Sequence, residues 1–398
     1  MKVENKEIVI VSAVRTAVGR AGGSLRNVDS GHLGSIVIQE AVSRAGIEKA
    51  DVDEVILGEV RQTTASSNVA RVAALRAGIP ESKPAFTVNR LCASSMQAIG
   101  SGVQQILFGQ ADVVVAGGTE NMSQAPMYLR NTRYGEGIQK LVDSNLEAGQ
   151  QPMDIYGDKL GMGATAENVA ERYEISREDQ DAFAFESQER AQRALENETF
   201  AEEIVPVEVK ERKRSFPFSA DEHPRETSPE KLASLKPAFK ADGSVTAGNA
   251  CGRNDGASAL VLMTKEKAET LGVTPMATIV DWTAVGVDPE VMGIGPVPAV
   301  EELLDRTGKQ KEDIEAWELN EAFASQSLAV IRELGIPEKD VNRNGGAIAL
   351  GHPLGATGAR ITTSLLYEMK RKNERFGVAT LCVGGGQGMA LMLERNKR

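Results

Sequence analysis

Residues 8–19 read IVIVSAVRTAVG and residues 277–286 read ATIVDWTAVG, so an apolar stretch followed by Thr-Ala-Val-Gly occurs twice in this chain. Each apolar stretch has the short length that is typical of a buried β-strand. A shared quartet arises readily by chance and does not establish a duplication alone. It does define a separation, between Thr16 and Thr283, against which other matches can be compared.

Two further short matches keep the same order along the chain. Val-Asn-Arg at residues 88–90 recurs at residues 341–343, and the strand-like VVVAGG at 113–118 has a counterpart in ATLCVGGG at 379–386. Val115 and Cys382 are separated by the same number of residues as Thr16 and Thr283. Because strand-like runs alternate with helical patterns, the ordered matches predict two copies of one layered α/β unit.

The spacing also predicts how the chain is divided. We assign residues 1–119 and about 247–273 to an N-terminal half, residues 274–398 to a C-terminal half, and residues 120–246 to an inserted domain. The insertion is rich in charge and has a helical pattern over residues 165–194. Its basic run is either a solvated loop or a surface that steers a phosphate-bearing ligand. The run consists of Lys210, Arg212, Lys213 and Arg214.

Composition excludes several classes of function. The 398 residues contain 45 Lys and Arg against 56 Asp and Glu, and a formal charge of −11 argues against binding to nucleic acid or to anionic membranes. The three cysteines are an odd number and cannot form a fully paired disulfide framework, which suits a reducing compartment. With neither a secretory signal pattern nor a membrane-spanning stretch, the sequence predicts a cytoplasmic protein.

Cys92 is the first candidate for chemistry. It follows the extended stretch 85–91 and precedes apolar residues at helical spacing, so the thiol lies where a strand passes into a helix. Free N–H groups and the dipole at a helix start favour a thiolate, which predicts a lowered pKa and a nucleophile. A free cysteine is more often a small buried hydrophobe, and the position alone leaves both interpretations open.

Three other positions have comparable alternatives. His352 lies in the glycine-rich GHPLGATG, where it either faces a ligand or packs within its loop. Cys382 leads into GGGQG, whose backbone N–H groups could bind an oxyanion together with that of Cys92, or could simply form a turn between two strands. Asn320 precedes a predicted helix, where capping is the ordinary role and a water held by its amide is the alternative.

Four motifs in this order resemble those of the thiolases, a family of acetyl-CoA acyltransferases. They are NRLCASS around Cys92, NEAF at Asn320, GHPLGATGAR around His352 and CVGGGQG from Cys382. The resemblance implies a five-layered α/β/α/β/α fold, with two duplicated halves and an inserted loop domain, in a homodimer or homotetramer. It also implies that the substrates are acetyl-CoA, 3-oxoacyl-CoA and CoA, with no tightly bound cofactor and no metal.

The same resemblance implies a role for each motif residue. Cys92 would form a thioester with the acyl group, and His352 would accept its proton and help to bind the second substrate. Cys382 would exchange the α-proton of acetyl-CoA. Asn320 would hold the water of one oxyanion hole, and the N–H groups of Cys92 and Gly384 would form another. The residues implied to contact CoA or the acyl end are Arg225, Phe239, Ala247, Gly248, Cys251, Met162 and Phe323.

Two departures from the family pattern bear on the substrate. Cys251 stands where many members have serine, and Gly161 stands where short-chain acetoacetyl-CoA enzymes commonly have the histidine of a His-Met-Gly triplet. Because a missing imidazole leaves room, we predict thiolytic cleavage of 3-oxoacyl-CoA in fatty-acid β-oxidation, reversible by Claisen condensation, through a ping-pong mechanism with an acyl-Cys92 intermediate.

Other functions remain open from the sequence. A strictly short-chain biosynthetic acetoacetyl-CoA thiolase is one alternative. An acyl-carrier-protein-dependent condensing enzyme is another, although such relatives use two histidines with their cysteine. A metal site formed by Cys92, His352 and Cys382 is a non-catalytic alternative, but these residues lack the close spacing of structural zinc ligands.

Overall fold

A computed structural model describes residues 6–135, 137–146, 149–157, 160–211 and 214–395. The strands in these residues are β1 (Ile8–Thr16), β2 (Gly19–Arg20), β3 (Glu54–Gly58), β4 (Ala85–Val88), β5 (Val113–Asn121), β6 (Met127–Arg130), β7 (Lys140–Asp143), β8 (Ile204–Val205), β9 (Val207–Glu211), β10 (Arg214–Phe218), β11 (Asn254–Thr264), β12 (Ala277–Gly286), β13 (Ala316–Leu319), β14 (Phe376–Val383) and β15 (Gln387–Glu394).

The helices of the same residues connect and cover these strands. They are α1 (Ser30–Ala45), α2 (Val69–Ala77), α3 (Ser94–Leu107), α4 (Met153–Tyr156), α5 (Met162–Arg172), α6 (Arg177–Glu196), α7 (Pro229–Ala233), α8 (Lys265–Leu271), α9 (Pro296–Thr307), α10 (Ala324–Leu334), α11 (Ala347–Leu350) and α12 (Thr357–Lys372). Within the part of the chain that is described, no helix has both the length and the apolar character needed to span a membrane.

The two halves of the chain repeat one strand order. It is β1-β11-β5-β3-β4 in the sheet of the first half and β12-β15-β14-β13 in that of the second, and a short antiparallel pairing of β1 with β12 joins the two. In both halves the first two pairings are antiparallel and the next is parallel. Val341 forms an isolated parallel bridge with Trp317 of β13, in the place that β4 takes in the first half. All three sequence matches therefore fall on equivalent elements, and the predicted duplication is confirmed.

Hydrophobic clusters separate the five layers. Leu33 of α1 belongs to a cluster on the outer face of the first sheet, and Val300 of α9 belongs to one on the outer face of the second. Between the sheets, Met96 of α3 and Leu365 of α12 share a buried cluster with residues of both sheets. Neighbouring side chains of β1 enter opposite clusters because strand side chains alternate. The predicted α/β/α/β/α layering is confirmed.

The segment between β5 and β11 is fixed to the first half by a buried ion cluster. Arg15 of β1 donates to Glu203 at 2.6 Å and to the two carboxylate oxygens of Asp221 at 2.8 and 3.0 Å. Its guanidinium also lies 4.8 Å from the centre of the Phe200 ring. Such pairing compensates charges that would otherwise be costly to bury. The domain boundaries at residues 119, 246 and 273 stay predictions.

One predicted element is wrong in its extent. The helical pattern over residues 165–194 is divided between α5 and α6. Glu174 has a φ of 53°, outside the helical region, and the hydroxyl of Ser176 accepts the N–H of Asp179 at 3.0 Å. A serine that caps a helix start favours a new helix over continuation of the old one. Apolar spacing does not register such a break, so the pattern looked continuous.

Candidate active site

Cys92 lies in the tight loop between β4 and α3. The side chain of Asn89 accepts the N–H of Leu91 at 2.9 Å. The hydroxyl of Ser94 accepts the N–H of Arg90 at 3.0 Å and donates to the carbonyl of Leu91 at 2.6 Å. Leu91 itself has a φ of 47°, which turns the chain sharply before the helix. The predicted placement of the thiol at a strand-to-helix junction is confirmed.

The half-buried thiol of Cys92 meets two backbone donors. The N–H groups of Gly384 and of Cys92 itself both hydrogen-bond its sulfur in the thiolate form. These are the two groups predicted from the sequence for an oxyanion hole. Their convergence means that an acyl carbon attached to the sulfur would lie next to both donors, which is the geometry that stabilises a tetrahedral oxyanion.

The predicted lowering of the thiol pKa is wrong. Burial raises the pKa of Cys92 to about 11, although the N–H groups of Gly384 and Cys92 favour the thiolate. The cost of removing a thiolate from water therefore exceeds the stabilisation by the partial charges at the helix start. At neutral pH the resting group is a thiol, and a base is needed before it can act as a nucleophile.

His352 has the properties of such a base. Its Nδ1 lies 2.7 Å from the hydroxyl of Thr357, which donates its one hydrogen to the carbonyl of Pro353 at 2.9 Å. The hydroxyl must then accept from Nδ1–H, which leaves the lone pair on Nε2. Burial, aided by the charge of Arg360, lowers the pKa of His352 to about 3 and keeps the ring neutral.

Asn320 lies against this free nitrogen. It is fully buried, and its Nδ2 is 3.5 Å from Nε2 of His352. The expected capping role is wrong, because α10 begins at Ala324 and its N-cap is Phe323. The Oδ1 atom of Asn320 has no hydrogen-bond partner in the described structure. A buried amide oxygen without a partner fits the alternative of a bound water, which stays a prediction.

Cys382 ends β14 and is followed by the glycine turn into β15. Gly386 has a φ of 83°, and a Cβ there would lie 2.3 Å from the carbonyl of Val287, so this position of the turn requires glycine. The interpretation as a turn between strands is right, and the same turn presents the N–H of Gly384 to Cys92. Burial raises the pKa of Cys382 well above its usual value, and Cys92 and Cys251 act in the same direction.

The third thiol, that of Cys251, lies close to the thiols of Cys92 and Cys382. Cys251 donates its backbone N–H to the carbonyl of Ala322 at 3.0 Å, next to the segment that carries Asn320. Burial raises the pKa of Cys251 to about 12, and the charge of Cys92 adds to the shift. Cys251 is therefore neutral at physiological pH.

Aromatic and glycine residues form the side on which CoA is predicted. The Phe239 and Phe323 rings meet edge to face with centroids 6.3 Å apart, and Phe239 remains 54% exposed. A Cβ at Gly163 would lie 2.1 Å from the Phe239 ring, so the ring rests directly on α5. Met162 begins that helix, and its sulfur would lie 3.4 Å from a Cβ at Gly384.

The predicted pantetheine segment lies beside a cation. The exposed Arg225 donates to the carbonyl of Ala247 at 2.8 Å, and the N–H of Gly248 donates to the hydroxyl of Thr246 at 3.0 Å. Of the basic run, Lys210 and Arg214 are exposed on the β9–β10 hairpin. Arg212 and Lys213 lie outside the described residues. The contacts of these residues with CoA stay predictions.

Two residues that hold His352 in place were not predicted from the sequence. Thr357, which fixes the tautomer of His352, lies in the same GHPLGATG motif, and its spacing from the histidine was the available signal. Asn254 accepts the backbone N–H of His352 at 2.9 Å from a segment far away in the chain, and no local pattern pointed to it. In the described residues, no group of three potential ligands could hold a metal ion.

The rate of alkylation of Cys92 should reveal its raised pKa. Because only the thiolate reacts, we expect the rate with iodoacetamide to rise about tenfold per pH unit from pH 7 to beyond pH 9. Peptide mapping by mass spectrometry would separate Cys92 from the other thiols. A rate that is already constant above pH 7 would contradict the assignment of a neutral resting thiol.

A duplicated five-layer fold with two buried thiols and a neutral histidine fits an enzyme that transfers acyl groups. The comparisons with known proteins agree. Residues 8–266 match the family described as thiolase, N-terminal domain, and residues 273–395 match thiolase, C-terminal domain. The chain belongs to the thiolase family.

Similar proteins extend over almost the whole chain. An acetyl-CoA acetyltransferase of Syntrophomonas wolfei is 49% identical over 98% of this chain and 99% of its own. The crystal structure of the Bacillus anthracis acetyl-CoA acetyltransferase matches with a TM-score of 0.95 and 48% identity, over 99% and 100% of the two chains. That of human mitochondrial 3-ketoacyl-CoA thiolase matches with a TM-score of 0.94 and 41% identity, over 98% and 99%.

Proposed function

We propose that this protein cleaves 3-oxoacyl-CoA with CoA to acetyl-CoA and a shortened acyl-CoA, and catalyses the reverse Claisen condensation. The reaction is ping-pong and passes through an acyl-Cys92 thioester. The observation that carries the proposal is the convergence of two N–H donors on the Cys92 sulfur, in one site with a neutral His352 and a second thiol, Cys382. CoA is a substrate here and not a tightly bound cofactor.

The first half-reaction uses His352 as a base. Since both groups are neutral at rest, proton transfer from the Cys92 thiol to Nε2 accompanies attack of the sulfur on the 3-oxo carbonyl carbon. The N–H groups of Cys92 and Gly384 bind the oxyanion of the tetrahedral intermediate. Asn320, 3.5 Å from the same imidazole nitrogen, is placed to hold the water that the family resemblance implies.

Cleavage of the bond between Cα and Cβ regenerates the carbonyl as a thioester on Cys92. The bonding electron pair passes to the departing acetyl-CoA as an enolate, which takes its proton from the Cys382 thiol. A thiol with a strongly raised pKa holds that proton until a basic carbanion forms, and its thiolate is basic enough to remove the proton in the reverse direction. CoA then gives its thiol proton to the Cys382 thiolate and attacks the thioester, and Cys92 leaves as a thiolate that takes back its proton from His352.

The acyl end of the site supports substrates longer than acetoacetyl-CoA. A Cβ at Gly161 would have no neighbour within 4 Å, so the position where short-chain enzymes carry a histidine is open. The proposal therefore includes a degradative role in β-oxidation. A strictly short-chain acetoacetyl-CoA thiolase is the second candidate, because relatives that are 49% and 50% identical are named acetyl-CoA acetyltransferase.

Steady-state kinetics should separate these candidates. We expect kcat/KM for a six- or eight-carbon 3-oxoacyl-CoA to equal or exceed that for acetoacetyl-CoA, followed by loss of enolate absorbance. Gly161→His should lower kcat/KM for the longer substrate roughly tenfold more than for acetoacetyl-CoA, because the side chain fills the open space. If the protein cleaves only acetoacetyl-CoA, the short-chain function is supported and the broader one is wrong. If it cleaves neither substrate, both candidate functions are wrong.

The proposal extends to a cytoplasmic homodimer or homotetramer. Three free cysteines suit a reducing compartment. The β6–β7 hairpin exposes the apolar side chains of Met127, Leu129 and Leu141, which is a feature of surfaces that bind protein. Light scattering of the purified protein measures the assembly directly.

A further inference from the structure

Glu120 is a fully buried carboxylate that binds backbone from two separate loops. One oxygen accepts the N–H of Val60 at 3.0 Å and that of Gly355 at 2.8 Å. The other accepts the N–H of Arg61 at 2.9 Å. Burial raises the pKa of Glu120, whereas these three bonds and the charge of Arg61 oppose that shift and favour the charged form. No step of the proposed reaction uses this group, so its position needs another explanation.

The first of these loops supports the nucleophile. Val60 and Arg61 follow β3, and the carbonyl of Val60 accepts from the side chain of Asn89 at 3.5 Å. Asn89 in turn accepts the N–H of Leu91, the residue before Cys92. The charges of Arg61 and Glu120 also act on the Cys92 thiol, in opposite directions. Glu120 is thus connected to Cys92 by a short chain of hydrogen bonds.

The second loop carries His352. Gly355 lies in the short 3-10 turn Leu354–Ala356 that precedes α12, between the histidine and Thr357, its hydrogen-bond partner. A Cβ at Gly355 would lie 2.8 Å from the Cα of Glu59 and 2.9 Å from a carboxylate oxygen of Glu120. The loop therefore packs directly on both glutamates, and only glycine fits at this position.

We propose that Glu120 is a positioning residue that sets the distance between Cys92 and His352 by holding both of their loops on one carboxylate. The inference rests on the proposed function, because the distance matters only if the histidine takes the proton of the thiol. The loops come from different halves of the duplicated fold, and a single group bound to both fixes one against the other. Glu120 is not itself a catalytic residue, since it does not contact the reacting atoms.

Glu59 completes the arrangement as the protonated partner of Glu120. It is fully buried, and the hydroxyl of Ser30 is a hydrogen-bond partner of its charged form. The groups that face it are Glu120, Asp29 and the hydroxyl of Ser30. Burial, reinforced by the charge of Glu120, raises the pKa of Glu59 to about 8. Within the pair, the three N–H bonds favour the charge on Glu120 and leave the proton on Glu59.

Glu120→Gln tests the proposal with little change in volume. An amide NH2 cannot accept from N–H, so the variant loses at least one of the three bonds. We expect kcat for thiolysis to fall ten- to a hundredfold, because small displacements of reacting groups cost on the order of 10²-fold, with KM changed less than about threefold. The rate of Cys92 acetylation by acetyl-CoA should fall in parallel.

Glu54→Gln is the matched control. Glu54 is a buried carboxyl at the other end of β3, where it accepts from Gln105 at 2.7 Å, and it touches neither catalytic loop. Its variant should keep kcat within about twofold. Equal losses in both variants, or full kcat in Glu120→Gln, would overturn the proposal. An inactive wild-type protein would instead overturn the proposed function. If Glu120→Gln does not fold, Glu120→Asp replaces it, since the shorter carboxylate cannot span both loops.

The pH profile of the acetylation step tests the role of Glu59. In the wild type, loss of its proton would place a second negative charge beside Glu120, and we expect the acetylation rate to fall above about pH 8. Glu59→Gln keeps a neutral side chain at every pH and should remove this fall. This step uses acetyl-CoA and not CoA as its substrate, so ionisation of a substrate thiol does not contribute to the pH profile. The same alkaline decline in both proteins would overturn the assignment of Glu59.

Discussion

Replacing Cys92 with serine is expected to abolish formation of the acetyl-enzyme and to lower the thiolysis rate by at least about 10⁴-fold. The structure shows why a hydroxyl cannot substitute. Burial already holds the pKa of the thiol at about 11, and a serine hydroxyl is a far weaker acid in the same place. The hydroxyl therefore widens the pKa gap to His352, the base that takes the proton, whose own pKa is lowered to about 3. Mass spectrometry after incubation with acetyl-CoA measures the covalent intermediate directly.

Cys251→Ser is the matched control for this experiment. It makes the same chemical change at a second thiol whose charge interacts with that of Cys92. We expect the acetyl group to appear on Cys92 in this variant, as a mass increase of one acetyl group per chain. An acetyl group found on the Cys92→Ser protein would show that another residue is the nucleophile, and the proposed mechanism would then be wrong.

Cys382→Ala should separate the two halves of the reaction. Acylation of Cys92 by acetyl-CoA needs His352 and the two N–H donors but no proton at the α-carbon. The acetyl-enzyme should therefore still form within about tenfold of the wild-type rate, while condensation and thiolysis fall by roughly 10²- to 10⁴-fold, the range for loss of a general acid or base. A rapid-quench measurement of acetyl-Cys92 beside steady-state rates gives both numbers.

A second measurement isolates the proton transfer. The wild-type protein should exchange the α-hydrogens of acetyl-CoA with deuterium from solvent, and the Cys382→Ala protein should not. If acetylation of Cys92 is lost in this variant as well, Cys382 supports the structure of the site. If exchange persists at the wild-type rate, another group carries the proton.

The repeats and motifs predicted much of the fold and of the candidate site. The matches at Thr16 and Thr283, and at Val115 and Cys382, identified equivalent strands, because buried strands of a duplicated unit retain similar apolar runs. Local glycine patterns likewise indicated the turn after Cys382. The helix break at Glu174 was missed, since it depends on one backbone angle and one capping serine and not on apolar periodicity.

Errors arose where a local rule competes with burial. A helix start predicts a lowered thiol pKa, yet the layers packed around the half-buried Cys92 raise that pKa, and burial dominates. Asn320 has the residue type of a helix cap, but the helix begins four residues later and its amide turns toward His352. Neither outcome follows from neighbours in the sequence, because each depends on what packs above the residue.

The sequence by itself determined the duplicated α/β architecture and the family, and it predicted the two thiols and the histidine of the candidate site. These follow from patterns within short stretches, which are governed by local backbone geometry and apolar spacing. The tertiary structure alone decided the charge states of Cys92 and His352, the tautomer that Thr357 imposes, and the link that Glu120 makes between loops of different halves. Protonation and positioning depend on burial and on contacts between distant residues, and only the folded chain supplies these.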